Sequence, residues 1–148
     1  MKDILTIRWK NGRGKMSIDL NNMFPCSQKD LKNILKTISL DFENRAKLIK
    51  QLIEFLPRKS KELEESAKES GRTYLAYRER VANLSQMIES GKTAVGLPID
   101  KHEIKNMKYD LRLFKSQMTK NRNNCRKFTA DFKKINKNIE FMSSWQGW

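Results

Sequence analysis

Ser90-Gly91-Lys92-Thr93 brings together the residue types that close a phosphate-binding loop. Such a loop also needs an earlier glycine, so that backbone N–H groups can turn toward the phosphates, and a strand leading into it. Gln86 stands where that glycine belongs, and a helical pattern precedes it. Gly91 therefore reads as a helix stop and not as part of a nucleotide site.

The other chemistry-bearing residues form no constellation. His102 is the sole histidine, and no cysteine lies near it to complete a metal site. Cys26 and Cys125 give no disulfide framework, which predicts a reduced, cytoplasmic setting. Cys125 falls at an apolar position and reads as a small buried side chain. Glu62, Glu64, Glu65 and Glu69 cluster, but Lys61 and Glu65 have the spacing of a solvated helical pair. No nucleophile, base and oxyanion donors can be assembled. The sequence predicts a non-enzyme with no cofactor and no metal.

Charge is the chemistry that remains. Lys115 to Asn138 holds eight Lys or Arg and one acid, +7 of the chain's +14 within 24 residues. A pI near 9.9 favours a polyanionic partner through counterion release and steering. With 38% hydrophobic and 32% charged residues, the composition suits long, well-solvated helices more than a compact globule. At 148 residues one folded unit is expected. The apolar stretch in MKDILTIRWK is too short for a signal peptide, and no run approaches the roughly 18 apolar residues of a membrane span.

Periodicity says which elements carry that charge. Leu5, Ile7 and Trp9 alternate on one face of residues 4–10, and Met16, Ile18 and Leu20 on one face of residues 15–20. With Asn11-Gly12-Arg13-Gly14 as a four-residue loop, Trp9 meets Met16, Ile7 meets Ile18 and Leu5 meets Leu20. This predicts a β-hairpin appendage over residues 1–24. Ser27 then opens a capping-box-like SQKD, and Leu31, Leu35, Ile38, Phe42, Ile49, Leu52 and Leu56 step at helical spacing, which predicts a first helix over 28–56. Ser39 or Asp41 offers a restart. Pro57 suits the first turn of a new helix, with either a tight turn or a kink at that point. The second helix, 58–90, places Leu63, Ala67, Ser70, Tyr74, Tyr77, Val81, Leu84 and Ile88 on a seam.

The third helix, 101–143, is the strongest pattern. Ile104, Met107, Leu111, Phe114, Met118, Asn121, Cys125, Phe128, Phe132, Ile135, Ile139 and Met142 keep a 3-4 spacing without a slip. Over 101–142 that is on the order of 60 Å of helix. The fold class predicted is thus mainly α: a hairpin and three long helices, the last two an antiparallel coiled-coil hairpin turning at 91–100, with 27–148 as one helical bundle. The excess length of the last seam raises a homodimer as an alternative use of it.

Counting Ile104 as position a of a seven-residue repeat, Lys105, Arg112, Arg126 and Lys133 fall at b, and Lys120, Lys127 and Lys134 at c. Both rows point away from the seam. The second helix, with seven basic and six acidic residues over 58–90, is nearly neutral. Charge is therefore sorted by element, whereas a merely solvated coiled coil mixes both signs. The expected nucleic-acid contacts are Arg112, Lys120, Arg126, Lys127, Lys133 and Lys134, with Arg8, Lys10 and Arg13 at the hairpin tip as a second patch. Phe141 at c, Trp145 and Trp148 are expected either to fold back on the hairpin or first helix, or to anchor a partner protein.

The function expected is low-specificity binding of a nucleic acid or nucleoprotein complex through phosphates. The alternative is a phage or mobile-element inhibitor or adaptor, anti-CRISPR-like in kind, that docks on a host nuclease or defence complex through an acidic groove. Small size and an A+T-biased Lys, Asn and Ile content motivate it. A structural coiled-coil dimer is a third reading. No membrane role is expected, because the basic rows lack a matching exposed apolar stripe.

Overall fold

A computed structural model describes residues 3–8, 15–39 and 45–145. Within them the chain is mainly helical. β1 (Ile4–Arg8) and β2 (Lys15–Asp19) precede α1 (Leu20–Met23), α2 (Gln28–Ser39), α3 (Arg45–Ser90) and α4 (Lys101–Ser144). The chain divides into two compact units, one of Met1–Glu64 with Thr129–Trp148 and one of Glu65–Phe128.

Long helices form where the sequence lacks breakers and where caps meet the orphan N–H groups. Asp100 caps α4, its Oδ1 accepting from the N–H of His102 at 2.8 Å and of Glu103 at 2.9 Å. Ser27 caps α2, its Oγ accepting from Asp30 N–H at 3.2 Å. Gly91 ends α3 in the left-handed region, φ +67°, and its N–H still bonds Met87 O at 2.8 Å. A side chain at Gly91 would strain that turn, so the helix stop read from the sequence is what the glycine provides.

α3 and α4 pack together as a long antiparallel pair. In the second unit, a Cβ added at Gly71 would lie 3.6 Å from Cys125 Sγ, and the rings of Tyr77 and Phe114 are 5.8 Å apart. Rising numbers on α3 thus meet falling numbers on α4. All twelve seam positions of α4 and all eight expected on α3 are buried or half-buried. Most are only half-buried in the second unit, because two helices side by side cover one stripe of each other and no more. In the first unit more elements converge. Leu20, Phe24, Leu31, Ile34, Leu35, Leu52, Phe55, Leu56, Leu63, Ile135 and Met142 are buried there, with Phe24 and Phe55 rings 6.0 Å apart.

Several expectations require correction. The expected first helix, 28–56, is described in two parts, α2 up to Ser39 and α3 from Arg45, and residues 40–44 between them, with Asp41 and Phe42, lie outside the described residues. Pro57 starts no new helix and makes no turn; it lies inside α3. A proline inside a helix costs roughly 3 kcal/mol, since it removes one hydrogen bond and crowds the preceding turn. Burying Leu52, Phe55 and Leu56, each worth roughly 1.5–3 kcal/mol and each at most 2% exposed, outweighs that.

The N-terminal hairpin does not stand as drawn. β1 and β2 pair with Ile7 opposite Met16 and Leu5 opposite Ile18, two residues away from the expected register. A shift of two preserves the alternation of faces, so hydrophobic pattern alone does not distinguish the two registers. Leu20 is not a strand residue. It opens α1, is fully buried, and its N–H bonds Asp3 O at 2.7 Å. With Phe24 also buried, the end of the supposed appendage belongs to the core of the first unit. Trp9 and the Asn11–Gly14 loop lie outside the described residues.

Candidate nucleic-acid interface

α4 carries twelve cations: Lys101, Lys105, Lys108, Arg112, Lys115, Lys120, Arg122, Arg126, Lys127, Lys133, Lys134 and Lys137. Its four acids are Glu103, Asp110, Asp131 and Glu140, a net +8 from twelve minus four. The first three acids share position g, on the flank of the seam. The cations occupy b, c, e and f, so the face opposite the seam carries a single acid, Glu140 at b, against twelve cations.

Arg112, Lys120, Arg126 and Lys127 are exposed on α4 in the second unit, and Lys133 and Lys134 in the first. Among the described residues no carboxylate forms an ion pair with any of the six. Ion pairs among the described residues include Arg58 with Asp3, and Lys59 with Glu62 at 3.8 Å. Both bind α3, the mixed-sign helix, within the first unit. Exposed ammonium and guanidinium groups without local counter-charges are held by water and mobile ions, and those ions are what a polyanion displaces.

Arg8 ends β1 opposite Lys15 in register, which places two basic positions side by side. Lys10 and Arg13, the rest of the expected second patch, lie outside the described residues. Trp148 also lies outside them. Phe141 is half-buried, with Lys32 Nζ of α2 6.0 Å from its ring centroid. Trp145 is half-buried, and its indole Nε1 is buried.

α2 adds basic residues that the sequence reading missed. Lys29, Lys32 and Lys36 are all exposed on one face of α2, opposite buried Leu31, Ile34 and Leu35. Their i, i+3, i+7 spacing was the signal. The field of α4 reaches the start of that helix: burial pushes the Cys26 thiol up to about 11, Asp30 adds to the rise, and the Lys134 ammonium opposes it.

The remaining candidates are occupied structurally. Ser90 Oγ accepts from Lys92 N–H at 3.2 Å, and Thr93 Oγ1 accepts from Leu97 N–H at 3.1 Å. Both hydroxyls thus fix the 91–100 loop. An open cavity of about 430 Å³ beside them is lined by Asn83, Gln86, Met87, Ser90, Lys92, Thr93 and Ala94. One cation and no glycine loop make it a poor cradle for phosphates. His102 is exposed on the first turn of α4, and among the described residues no group of His, Cys, Asp and Glu is placed to hold a metal ion. No described helix is long and apolar enough to cross a membrane. Comparison with protein-family models, curated proteins and solved structures found no match to this chain.

Proposed function

We propose that this protein is a non-enzymatic binder of nucleic acid, or of a nucleoprotein complex, and that it grips phosphates along the outer face of α4. The observation that supports the reading is the state of six cations: Arg112, Lys120, Arg126, Lys127, Lys133 and Lys134 are exposed and form no ion pair among the described residues. Surface charges that served solubility alone would be interspersed with acids, as they are on α3. Lysine and arginine contacts to phosphate carry no sequence information, so specificity is low.

Fluorescence anisotropy with labelled duplex DNA, single-stranded DNA and structured RNA, each titrated across salt, tests it. About five phosphate contacts on duplex DNA give a log–log salt slope near −4.5. Lys127→Ala and Lys134→Ala each reduce that slope by about one. Absence of binding to all three probes at low salt defeats the proposal and turns the search toward a protein with an acidic groove.

A further inference from the structure

We propose that α2 and the last turns of α4 form a site for a single-stranded stretch of nucleic acid, with Phe141 as the stacking platform and Lys32, Lys134 and Lys137 on the flanking phosphates. The inference rests on the polyanion reading above and adds to it a ligand class and a place.

Phe141 is an aromatic residue on the cationic face. It shares position c with Lys120, Lys127 and Lys134, while its neighbours Ile139 and Met142 occupy the seam. Lys137 and Lys134 precede it by four and seven residues, one and two helical turns along the same face. Both are exposed, as is Lys32. Phe141 is half-buried, so part of the residue is held by the protein and part remains within reach.

That reachable part is covered by a movable group. Lys32 Nζ stands 6.0 Å from the ring centroid, at the outer limit of a cation–π contact. A flexible ammonium at that distance exchanges readily for a base, whose π-face takes its place on the ring. Lys32 then needs to swing only a few side-chain rotamers to meet the phosphate of the same nucleotide. An aromatic ring beside a cationic groove is the arrangement that binds single strands through stacking plus phosphate contacts. A duplex keeps its bases stacked inside and cannot use the ring. Glu140, the nearest acid along α4, lies on row b and leaves row c to Lys134 and Phe141.

The test uses the full chain, a labelled oligo-dT and a labelled duplex, by anisotropy across salt. Phe141→Leu is expected to weaken oligo-dT binding about tenfold with the salt slope and the duplex affinity unchanged. Phe141→Tyr, which keeps a ring, is expected to bind as the parent does. Lys32→Ala is expected to reduce the oligo-dT slope by about 0.7. Equal oligo-dT affinity for parent and Phe141→Leu overturns this site while the α4 reading stands, as does a parent that binds duplex alone. A parent that binds neither probe overturns both. If Phe141→Leu fails to fold, an unchanged oligo-dT slope in Lys32→Ala overturns the site.

Discussion

Asn138 holds both backbone polar groups of Cys26: its Nδ2 donates to the Cys26 carbonyl at 2.9 Å, and its Oδ1 accepts from the Cys26 N–H at 3.1 Å. One amide thus acts as a rung of a ladder between α4 and the segment that leads into α2. Asn138 is fully buried and Cys26 is 7% exposed, so water cannot take over either bond. Asn138→Ala leaves a buried donor and a buried acceptor unmet, and we expect it to cost roughly 2–4 kcal/mol. Asn138→Asp keeps the acceptor, loses the donor and buries a charge, so it should be no milder. Urea unfolding checks this: the midpoint falls and the slope stays. A change under about 0.5 kcal/mol for Asn138→Ala would show that the rung is dispensable.

The two thiols should behave differently. Cys125 is half-buried and Cys26 buried, so a thiol reagent at neutral pH labels Cys125 first. Burial, helped by Asp30 and opposed by Lys134, raises the Cys26 thiol from 9.0 to about 11. In the unfolded chain the same thiol ionises near its ordinary value. Between those two values the unfolded state binds fewer protons than the folded one, so stability falls as pH rises. This contribution is fully present below about pH 9 and is gone by about pH 11. Its size is on the order of 2–3 kcal/mol. The stability difference between the parent and Cys26→Ala should therefore shift against the parent over that window. A constant difference would show that Cys26 ionises normally.

Pro57 gives a third expectation. It cannot donate to Ile53 O, and both residues are exposed, so water donates to the freed carbonyl instead. Replacing it with alanine restores a helical hydrogen bond and a better helix former. The unfolded chain gains some freedom in return. We expect Pro57→Ala to stabilise by roughly 1–2 kcal/mol, seen as a raised Tm. A lowered Tm would mean that the proline shapes α3 so that Leu52, Phe55 and Leu56 reach the core.

These residues also show what the sequence made legible. The α4 seam was readable because twelve positions keep one spacing, and all twelve are buried or half-buried. The exposed cations on rows b and c follow from the same spacing. Asn138 was not readable. A straight helix drifts against a seven-residue repeat, so in the final turns the buried stripe includes position g, beside the seam. Its partners are backbone atoms 112 residues away, which leave no side-chain signal. Pro57 misled because local propensity favours a boundary there, while the three buried residues beside it override that preference. The strand register was ambiguous in principle, since registers two apart present the same faces. Lys32 was visible as a charge, but its place above Phe141 depends on how α2 packs.

Gly71 faces Cys125 where α3 and α4 meet. A glycine inside a helix costs roughly 0.5–1 kcal/mol relative to alanine, because the unfolded chain loses more freedom on folding. If contact were the reason for it, a methyl group would have no room. A Cβ there would lie 3.6 Å from Cys125 Sγ, an ordinary van der Waals distance. Alanine should therefore fit without moving the pair, and the backbone term should prevail. We expect Gly71→Ala to stabilise by about 0.5–1 kcal/mol and to slow labelling of Cys125, whose sulfur gains a methyl neighbour. Gly71→Leu should do the reverse, since its extra carbons must push α3 and α4 apart. Thermal unfolding of both variants decides the matter: if alanine destabilises as leucine does, the two helices pack more tightly at this point than 3.6 Å allows.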